Sequence, residues 1–137
     1  MIVVAHQHPT LRFSRKETFA AIRAVLRNRG TQKRSISVVF VNNRFMRRIN
    51  RRFLKHDEST DVIAFPLEDG IGMDGELYIN LDRAKNQASG AGIPFREEVL
   101  RLLIHGTLHL LGYRDTTKPL KQKMTRKEDY FLARLGR

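Results

Sequence analysis

Two histidines on one predicted helix and an aspartate just beyond its end are the residues of this chain best suited to chemistry. His105 and His109 are four positions apart in a segment whose apolar residues recur at helical spacing. Residues four apart share a helix face, so both imidazoles can reach one metal ion. Gly112 tolerates the positive φ that ends many helices, which would let Asp115 return toward the histidines. The spacing predicts a metal site of His105, His109 and Asp115.

The donor set indicates what such a site would do. Three protein ligands on a tetrahedral ion leave one position for water, whereas a structural zinc site has four ligands and most often includes cysteine. This chain has no cysteine. The open position therefore points to catalysis. We expect one zinc ion per chain, although two nitrogens and one carboxylate oxygen also suit manganese, iron or nickel.

Two alternatives compete with a catalytic metal site in this segment. A zinc peptidase would show similar ligand spacing, but peptidases of that kind carry a glutamate directly after the first histidine as general base. Here that position is Gly106. The two histidines could also be ordinary buried residues of an apolar helix. Their register with Gly112 and Asp115 favours the metal site.

The elements that must position the site follow an α/β pattern. Strands are predicted at residues 1–5, 35–41, 61–65 and 76–81, with Gly70, Gly72 and Gly75 marking the connection between the last two. Helices are predicted from a Ser14 and Glu17 capping box to Gly30, around 44–55, from 94 to 111 and from 119 to 135. The expected fold is one α/β (α+β) domain over residues 1–137. It would have a small mixed sheet of about four strands covered by helices, with the metal site at the end of a buried helix.

The charge of the chain, +12 in all, is unevenly distributed. Residues 1–55 contain 14 Lys or Arg and one acid. Residues 56–99 contain three Lys or Arg and ten acids, and residues 100–137 contain nine Lys or Arg and three acids. Such segregation predicts a basic face that binds a polyanion, beside an acidic stretch. Nucleic acid is the natural partner.

The predicted helix around 44–55 separates apolar from basic residues. Its apolar stripe consists of Phe45, Met46, Ile49 and Phe53. Its opposite face consists of Arg44, Arg47, Arg48, Arg51 and Arg52. A face that only keeps a helix soluble usually mixes both signs, but this one contains no acid. We therefore expect these arginines to bind nucleic-acid phosphates.

Three segments with recognisable patterns, and one further residue, extend across most of the chain. They are His105-Gly-Thr-Leu-His109-Leu-Leu-Gly-Tyr113, Thr60-Asp61-Val62-Ile63-Ala64-Phe65-Pro66, Gly75-Glu76-Leu77-Tyr78-Ile79 and the downstream Met124. Together, from about Val38 to Leu132, they resemble the YbeY endoribonuclease family, also called rRNA maturation factors. The resemblance implies a single α/β domain with a metal in a cleft, acting as a single-strand-directed endoribonuclease. It also implies a role in small-subunit ribosomal RNA maturation and ribosome quality control, with RNA and the small ribosomal subunit as partners.

Two positions depart from the family pattern. Asp115 stands where the family usually has a third histidine, so the predicted catalytic and metal-binding set is His, His and Asp. A carboxylate places more negative charge on the ion than imidazole, which should make bound water less acidic and slow the reaction. Leu54 stands where the family commonly has a functional arginine after an aromatic residue. If that arginine holds the scissile phosphate, Lys55, Arg51 or Arg52 must replace it, and Lys55 is our first choice.

These departures keep open an alternative from another functional class. A non-catalytic RNA- or ribosome-binding assembly factor would retain the fold and the basic face, and would use any metal structurally. It would bind RNA without cleavage that a chelator can inhibit. The enzyme, in contrast, should lose cleavage in His109→Ala while keeping its fold.

Single residues outside the site carry weaker expectations. His6, His8 and His56 lack a partner at ligand spacing and are expected at the surface. Met124 is expected to pack beneath the metal site without binding the ion. Thr60 and Asp61 should shape the groove, while Glu76 is not assigned as general base.

Composition narrows the cellular setting. No segment approaches the roughly 18 apolar residues that span a bilayer, and the first residues lack the features of a signal peptide. The absence of cysteine rules out a disulfide framework and fits a reducing compartment. A cytoplasmic protein without a membrane partner is expected.

Overall fold

The computed structural model of the chain describes residues 1–31, 34–55, 59–67 and 74–136. Along these residues the elements are, in order, β1 (Ile2–His6), α1 (Arg15–Asn28), β2 (Ile36–Val41), α2 (Asn43–Leu54), β3 (Val62–Pro66), β4 (Gly75–Asn80), α3 (Leu81–Ala91), α4 (Phe95–Leu110) and α5 (Lys118–Arg134). The four predicted strands and four predicted helices are confirmed. Gly70 and Gly72 lie outside the described residues. No helix of the described chain is long and apolar enough to cross a membrane.

The helix α3 was not predicted. Its buried residues are Leu81, Ala84 and Ala88, so its inward face is small and gives only a weak apolar period. Gly90 near its end weakens the helical pattern further. The side chain of Asn80 nevertheless caps it, accepting from the N–H groups of Asp82 and Arg83.

The strands form one mixed sheet in the order β1-β2-β4-β3. β1 pairs with β2 and β2 with β4 in parallel, while β3 pairs with β4 in the antiparallel direction at the edge. Val4, Val38 and Leu77 lie side by side across the three parallel strands and are all buried. This row belongs to the main core, in which α1 and α4 pack on the sheet and α5 packs on those two helices. The fold is therefore a small α/β domain, as predicted.

A second, smaller core lies between α2 and the opposite sheet face. Val41, Met46, Ile49 and Ile63 are buried there. Met46 and Ile49 confirm the predicted inward stripe of α2, but Phe53 does not follow it, because 60% of its surface is exposed. Phe53 contacts Phe65 edge-on at the sheet margin instead. The last turn of α2, residues 51–54, is therefore exposed.

Close contact between α4 and the sheet depends on glycine. A Cβ atom at Gly106 would lie 2.9 Å from Leu77 and 3.1 Å from Val62, and a Cβ atom at Gly75 would lie 2.7 Å from Leu110. The distances of 2.7 and 2.9 Å are shorter than packed carbon atoms allow, and 3.1 Å is tighter than an ordinary contact. Gly106 therefore occupies the position after His105 for packing reasons, on the side of α4 that faces the sheet.

The expectation that His8 lies at the surface is wrong. His8 is only 7% exposed, and its Nδ1 accepts hydrogen bonds from the N–H groups of Thr10 and Leu11. The proton is consequently on Nε2, which donates to Asp82 at 2.7 Å. His6 is half-buried and stacks on Phe40. His56 lies outside the described residues.

Candidate metal centre and its cleft

The last turns of α4 place His105 and His109 side by side. Their Nε2 atoms are 3.0 Å apart and their ring centres 4.5 Å apart. Both side chains remain partly accessible, with 23% and 29% of their surface exposed. The one-turn spacing thus brings two nitrogen donors to one point at the edge of the core.

Asp115 is brought to the same point by the turn that ends α4. Gly112 has φ +96°, and its N–H donates to the carbonyl of His109 while the next N–H, of Tyr113, donates to Leu108. These two bonds satisfy carbonyls at the helix end and reverse the chain. Asp115 Oδ2 then lies 3.5 Å from His105 Nε2 and 3.6 Å from His109 Nε2. The predicted left-handed glycine and the predicted return of Asp115 are confirmed.

The three donor atoms have the spacing that a metal ion requires. They are separated by 3.0, 3.5 and 3.6 Å. A tetrahedral zinc ion with bonds of about 2.0–2.1 Å separates its ligands by roughly 3.3–3.4 Å. His105, His109 and Asp115 could therefore form a metal site without a change of backbone, and three ligands would leave a fourth position open.

A buried glutamate orients the first of these histidines. Glu128 of α5 is 6% exposed, and its Oε2 accepts a hydrogen bond from His105 Nδ1 at 2.6 Å. With the proton on Nδ1, the Nε2 lone pair of His105 points to the donor cluster. The other oxygen of Glu128 accepts from Arg101, which also donates to Asp129. α5 thereby fixes the ring of a metal-binding candidate on α4.

The same contacts change the proton affinity of His105. Burial alone would lower its pKa, but the hydrogen bond and charge of Glu128, with the charges of Asp115 and Asp61, raise the pKa above its ordinary value. A surplus of negative charge at the cluster favours any cation there, whether a proton or a metal ion.

His109 opens onto a cleft of about 630 Å³ between α2, β3 and the turn after α4. The residues that line it are Asn50, Leu54, Thr60, Val62, Ile63, Ala64, Pro66, His109, Gly112, Tyr113 and Arg114. One wall is apolar and the other carries a histidine and an arginine. Arg114 is the only Lys or Arg among the described residues that line this cleft.

One wall of the cleft is held by a buried amide. Asn80 is fully buried at the end of β4, and its Nδ2 donates to Asn43 of α2 at 2.8 Å. It also donates to Ser59 at 2.9 Å and to the carbonyl of Thr60 at 3.0 Å. Because one side chain ties α2 to residues 59–60, Thr60 keeps a fixed position opposite His109.

The predicted phosphate-binding residues all project from α2 or its end, but not into the cleft. All six are exposed, namely Arg44, Arg47, Arg48, Arg51, Arg52 and Lys55. The part of α2 that lines the cleft is Asn50 and Leu54. Lys55 caps the helix in the left-handed region, with φ +58°. The basic face therefore lies beside the cleft as an outer surface.

Two residues at the site, Arg114 and Glu128, were not predicted from the sequence. Arg114 directly precedes Asp115, so the same turn that carries the aspartate carries the arginine. Glu128 is one turn after Met124, whose buried position confirms the predicted packing, and two acids at 128–129 interrupt an otherwise basic helix. That interruption is the signal that could have identified Glu128 as a partner for a buried histidine.

Glu76 is engaged away from the cleft. It accepts a hydrogen bond from the Tyr78 hydroxyl at 2.6 Å. Burial, together with the hydrogen bond and charge of Glu76, raises the pKa of the Tyr78 phenol to about 12. Tyr78 stacks near Phe45 on the side of the sheet that α2 covers, so this pair serves packing at that face.

Comparison with known proteins gives a consistent result. The sequence profile of the family described as Endoribonuclease YbeY matches residues 4–136. An Endoribonuclease YbeY of Chlorobaculum parvum is 43% identical over 115 residues, which is 84% of this chain and 82% of the relative. An Endoribonuclease YbeY of Chlorobaculum tepidum is 44% identical over 114 residues, or 83% of each chain.

A solved structure shares the fold at greater distance. The solution structure of TM1509 from Thermotoga maritima superposes with a TM-score of 0.70 at 23% identity, covering 98% of this chain and 89% of that one. At such low identity the likeness supports the architecture alone. On the match of residues 4–136 and the identity with both Chlorobaculum proteins, the chain belongs to the YbeY endoribonuclease family.

Proposed function

We propose that this protein is a metal-dependent endoribonuclease that cleaves single-stranded RNA in the maturation of small-subunit ribosomal RNA and in ribosome quality control. One observation carries the proposal: two imidazole nitrogens and a carboxylate oxygen converge within 3.0–3.6 Å beside a cleft that also contains Arg114. The names of the relatives support RNA as the substrate. With ribosomal RNA as the proposed substrate, we also propose that the protein acts in the cytoplasm.

The catalytic role is assigned to His105, His109 and Asp115 as metal ligands. Zinc is the proposed ion, since two nitrogens and one oxygen at this spacing are a common zinc set. When bound, the ion supplies Lewis-acid chemistry, polarising a phosphate oxygen and lowering the pKa of water. Glu128 keeps the His105 proton on Nδ1, so that Nε2 stays available as a donor.

Arg114 is the proposed contact for the scissile phosphate. It lines the same cleft as His109, and its guanidinium offers the forked donors that suit a phosphate. Lys55, our first choice from the sequence, is not among the described residues that line the cleft. Leu54 does line it, so the position of the missing family arginine is apolar here. We therefore assign the phosphate at the metal to Arg114.

The basic face of α2 is proposed to hold neighbouring phosphates of the same strand. Arg44, Arg48 and Arg52 follow one another at four-residue spacing on its exposed side. Arg47, Arg51 and Lys55 extend the surface around the helix. Such contacts neutralise the backbone without reading bases, so this surface would give affinity more than sequence preference.

Cleavage of single-stranded RNA by the purified, zinc-loaded protein tests the proposal. We expect cleavage that a chelator stops and zinc restores, and that His109→Ala abolishes while the circular dichroism spectrum stays native. Arg12→Gln, which removes an exposed arginine before α1, is the matched control and should cleave normally. RNA binding with no cleavage by the zinc-loaded protein would overturn the proposal in favour of a non-catalytic ribosome-binding factor.

A further inference from the structure

A second basic surface lies on the far side of the turn that carries Asp115. Tyr113 stands at its centre, and Arg29 of α1 donates to its hydroxyl at 2.9 Å. The Nζ atoms of Lys127 and Lys123 lie 5.0 and 5.8 Å from the centre of the same ring. Three cations of α1 and α5 thus gather around one neutral side chain.

Among the residues that the structure describes, no carboxylate pairs with these three cations, Arg29, Lys123 and Lys127. Lys123 and Lys127 are four residues apart on α5, a spacing at which like charges repel and destabilise a helix. A bound polyanion would relieve that repulsion, so the arrangement fits a binding surface better than a solvating one.

The charges of α5 are divided between two faces. Glu128 and Asp129 accept from Arg101 at 2.9 and 2.7 Å and so face α4. Lys123, Lys127 and Tyr130 follow one another at helical spacing on the neighbouring face. The acids of α5 therefore face α4, whereas Lys123 and Lys127 face Tyr113 and Arg29.

This basic surface is continuous with the cleft. Residues 112–114 line both the cleft and a neighbouring depression of about 280 Å³. That depression shares Lys123 with a third one of about 470 Å³, which Arg126, Lys127 and Tyr130 also line. We call the surface formed by Tyr113, Lys123, Arg126, Lys127 and Tyr130 the α5 track. It leads away from the metal centre on the side opposite α2.

An aromatic ring at the end of the α5 track narrows the choice of polyanion. Tyr130 is 46% exposed and stands among cations, with Arg134 5.0 Å from its ring centre. Surfaces that bind single-stranded nucleic acid combine cations along the backbone with aromatic rings on which bases stack. An acidic protein segment would bind to the cations of the α5 track but would not require the exposed ring of Tyr130.

We propose that the α5 track binds the part of a single-stranded RNA that extends beyond the cleft, so that long RNA is held on both sides of the metal centre. The inference rests on the proposed function, which places RNA in the cleft. It predicts that RNA long enough to reach Tyr130 binds more tightly than RNA that fills the cleft alone.

Two double variants with the same change of charge test the proposal. Lys123→Gln with Lys127→Gln alters the α5 track, whereas Arg12→Gln with Arg15→Gln removes two exposed cations at the other end of α1, roughly 20 Å from Arg29. Binding of single-stranded RNA of about four and about sixteen nucleotides is measured by fluorescence anisotropy at several salt concentrations. The measurements use the His109→Ala background, and cleavage of both RNAs is measured in the wild-type background.

The track variant should bind the long RNA about tenfold more weakly than the parent does. The difference in affinity between the long and the short RNA should therefore be largely lost. The salt dependence of the track variant should fall by about 1.4 in the slope of log K against log salt, or about 0.7 for each lost phosphate contact. The control variant should match the parent. Tyr130→Leu should weaken long-RNA binding without changing the slope, because stacking releases no counterions.

The outcomes separate this inference from the proposed function. Equal losses in both double variants, or long RNA that binds no better than short, would overturn the α5 track even if RNA is cleaved. Selective loss in the track variant, with no cleavage of either RNA by the zinc-loaded wild type, would support the track and overturn the catalytic proposal. Selective loss together with cleavage would support both.

Discussion

The hydrogen bond between His105 and Glu128 decides how well the donor cluster is prepared for a cation. A carboxylate that accepts from the outer nitrogen of a histidine fixes the ring and makes the inner nitrogen more basic. Here the carboxylate is buried and the bond is 2.6 Å long. A residue that orients one of the candidate metal ligands therefore lies on another helix, 23 positions along the chain from His105.

Glu128→Gln tests this influence. The substitution keeps the size of the side chain but removes its charge, so we expect zinc affinity to fall by about 10–100-fold. Affinity is measured by competition with a chromophoric chelator. Asp129→Asn is the control, because Asp129 also pairs with Arg101 but has no bond to His105 among those described. Equal losses in the two variants would mean that the zinc affinity depends on neutralising the charge of Arg101 and not on the orientation of His105.

At the scale of elements, the packing of α4 on the sheet positions His105 and His109. Gly106→Ala should lower the free energy of unfolding by about 1 kcal/mol, because overpacking against the fully buried Leu77 outweighs the gain in helix propensity. Gly90→Ala on α3 is the matched control, since a Cβ atom there meets nothing within 4 Å. It should raise the stability by about 0.5–1 kcal/mol. Urea denaturation measures both, and a stabilised Gly106→Ala would contradict the close packing.

The start of α3 is expected to make stability depend on pH. Burial would raise the pKa of Asp82, but its bonds to His8 and to the Asn43 N–H, with the nearby charge of Lys85, lower the pKa below the ordinary 3.8. A lowered pKa in the folded state means that this carboxylate stabilises the fold above pH 3.8, and that the contribution is lost as the pH falls through the lowered value.

Asp82→Asn should therefore cost stability mainly near neutral pH. We expect a loss of about 1–2 kcal/mol at about pH 7, which shrinks at about pH 3 as the wild-type carboxyl gains its proton. Chemical denaturation of both proteins at the two pH values gives the comparison. A difference that is the same at both would show that the charge of Asp82 is not what stabilises this junction.

The contrast between α4 and α3 explains how much of the fold the sequence could predict. α4 has apolar residues at helical spacing, an ending glycine and two histidines in register, so its bounds and its two candidate metal ligands could be predicted together. α3 buries only small side chains, and its helix is set by Asn80 at the end of a strand. The bond from His8 to Asp82 joins residues 74 positions apart and leaves no local pattern. Contacts of that kind, including His105 with Glu128, depend on the packing of whole elements.

At the scale of the whole molecule, basic residues lie on both sides of the candidate metal centre. The α2 arginines lie beside one wall of the cleft and the cations of the α5 track continue from the other. The central donor cluster is negative and partly exposed. A polyanionic strand would be attracted to both sides and held across a cation at the centre.

The α2 side of this arrangement has its own test. Arg44→Gln with Arg48→Gln should reduce the slope of log K against log salt for single-stranded RNA by about 1.4, through the loss of two phosphate contacts. The Arg12→Gln, Arg15→Gln protein is the matched control. An unchanged slope would show that the arginines of α2 only solvate the helix.

The metal content of the protein is the most direct test of zinc binding by His105, His109 and Asp115. Elemental analysis of the zinc-reconstituted protein is compared with Asp115→Ala and with the control Glu17→Ala, which removes an acid that pairs with Arg96 at the opposite end of α4 from His109. We expect about one zinc per chain in the wild type and the control, and loss of the zinc in Asp115→Ala. No bound zinc after reconstitution, or full retention of zinc in Asp115→Ala, would contradict the His105, His109 and Asp115 site and the hydrolytic mechanism built on it.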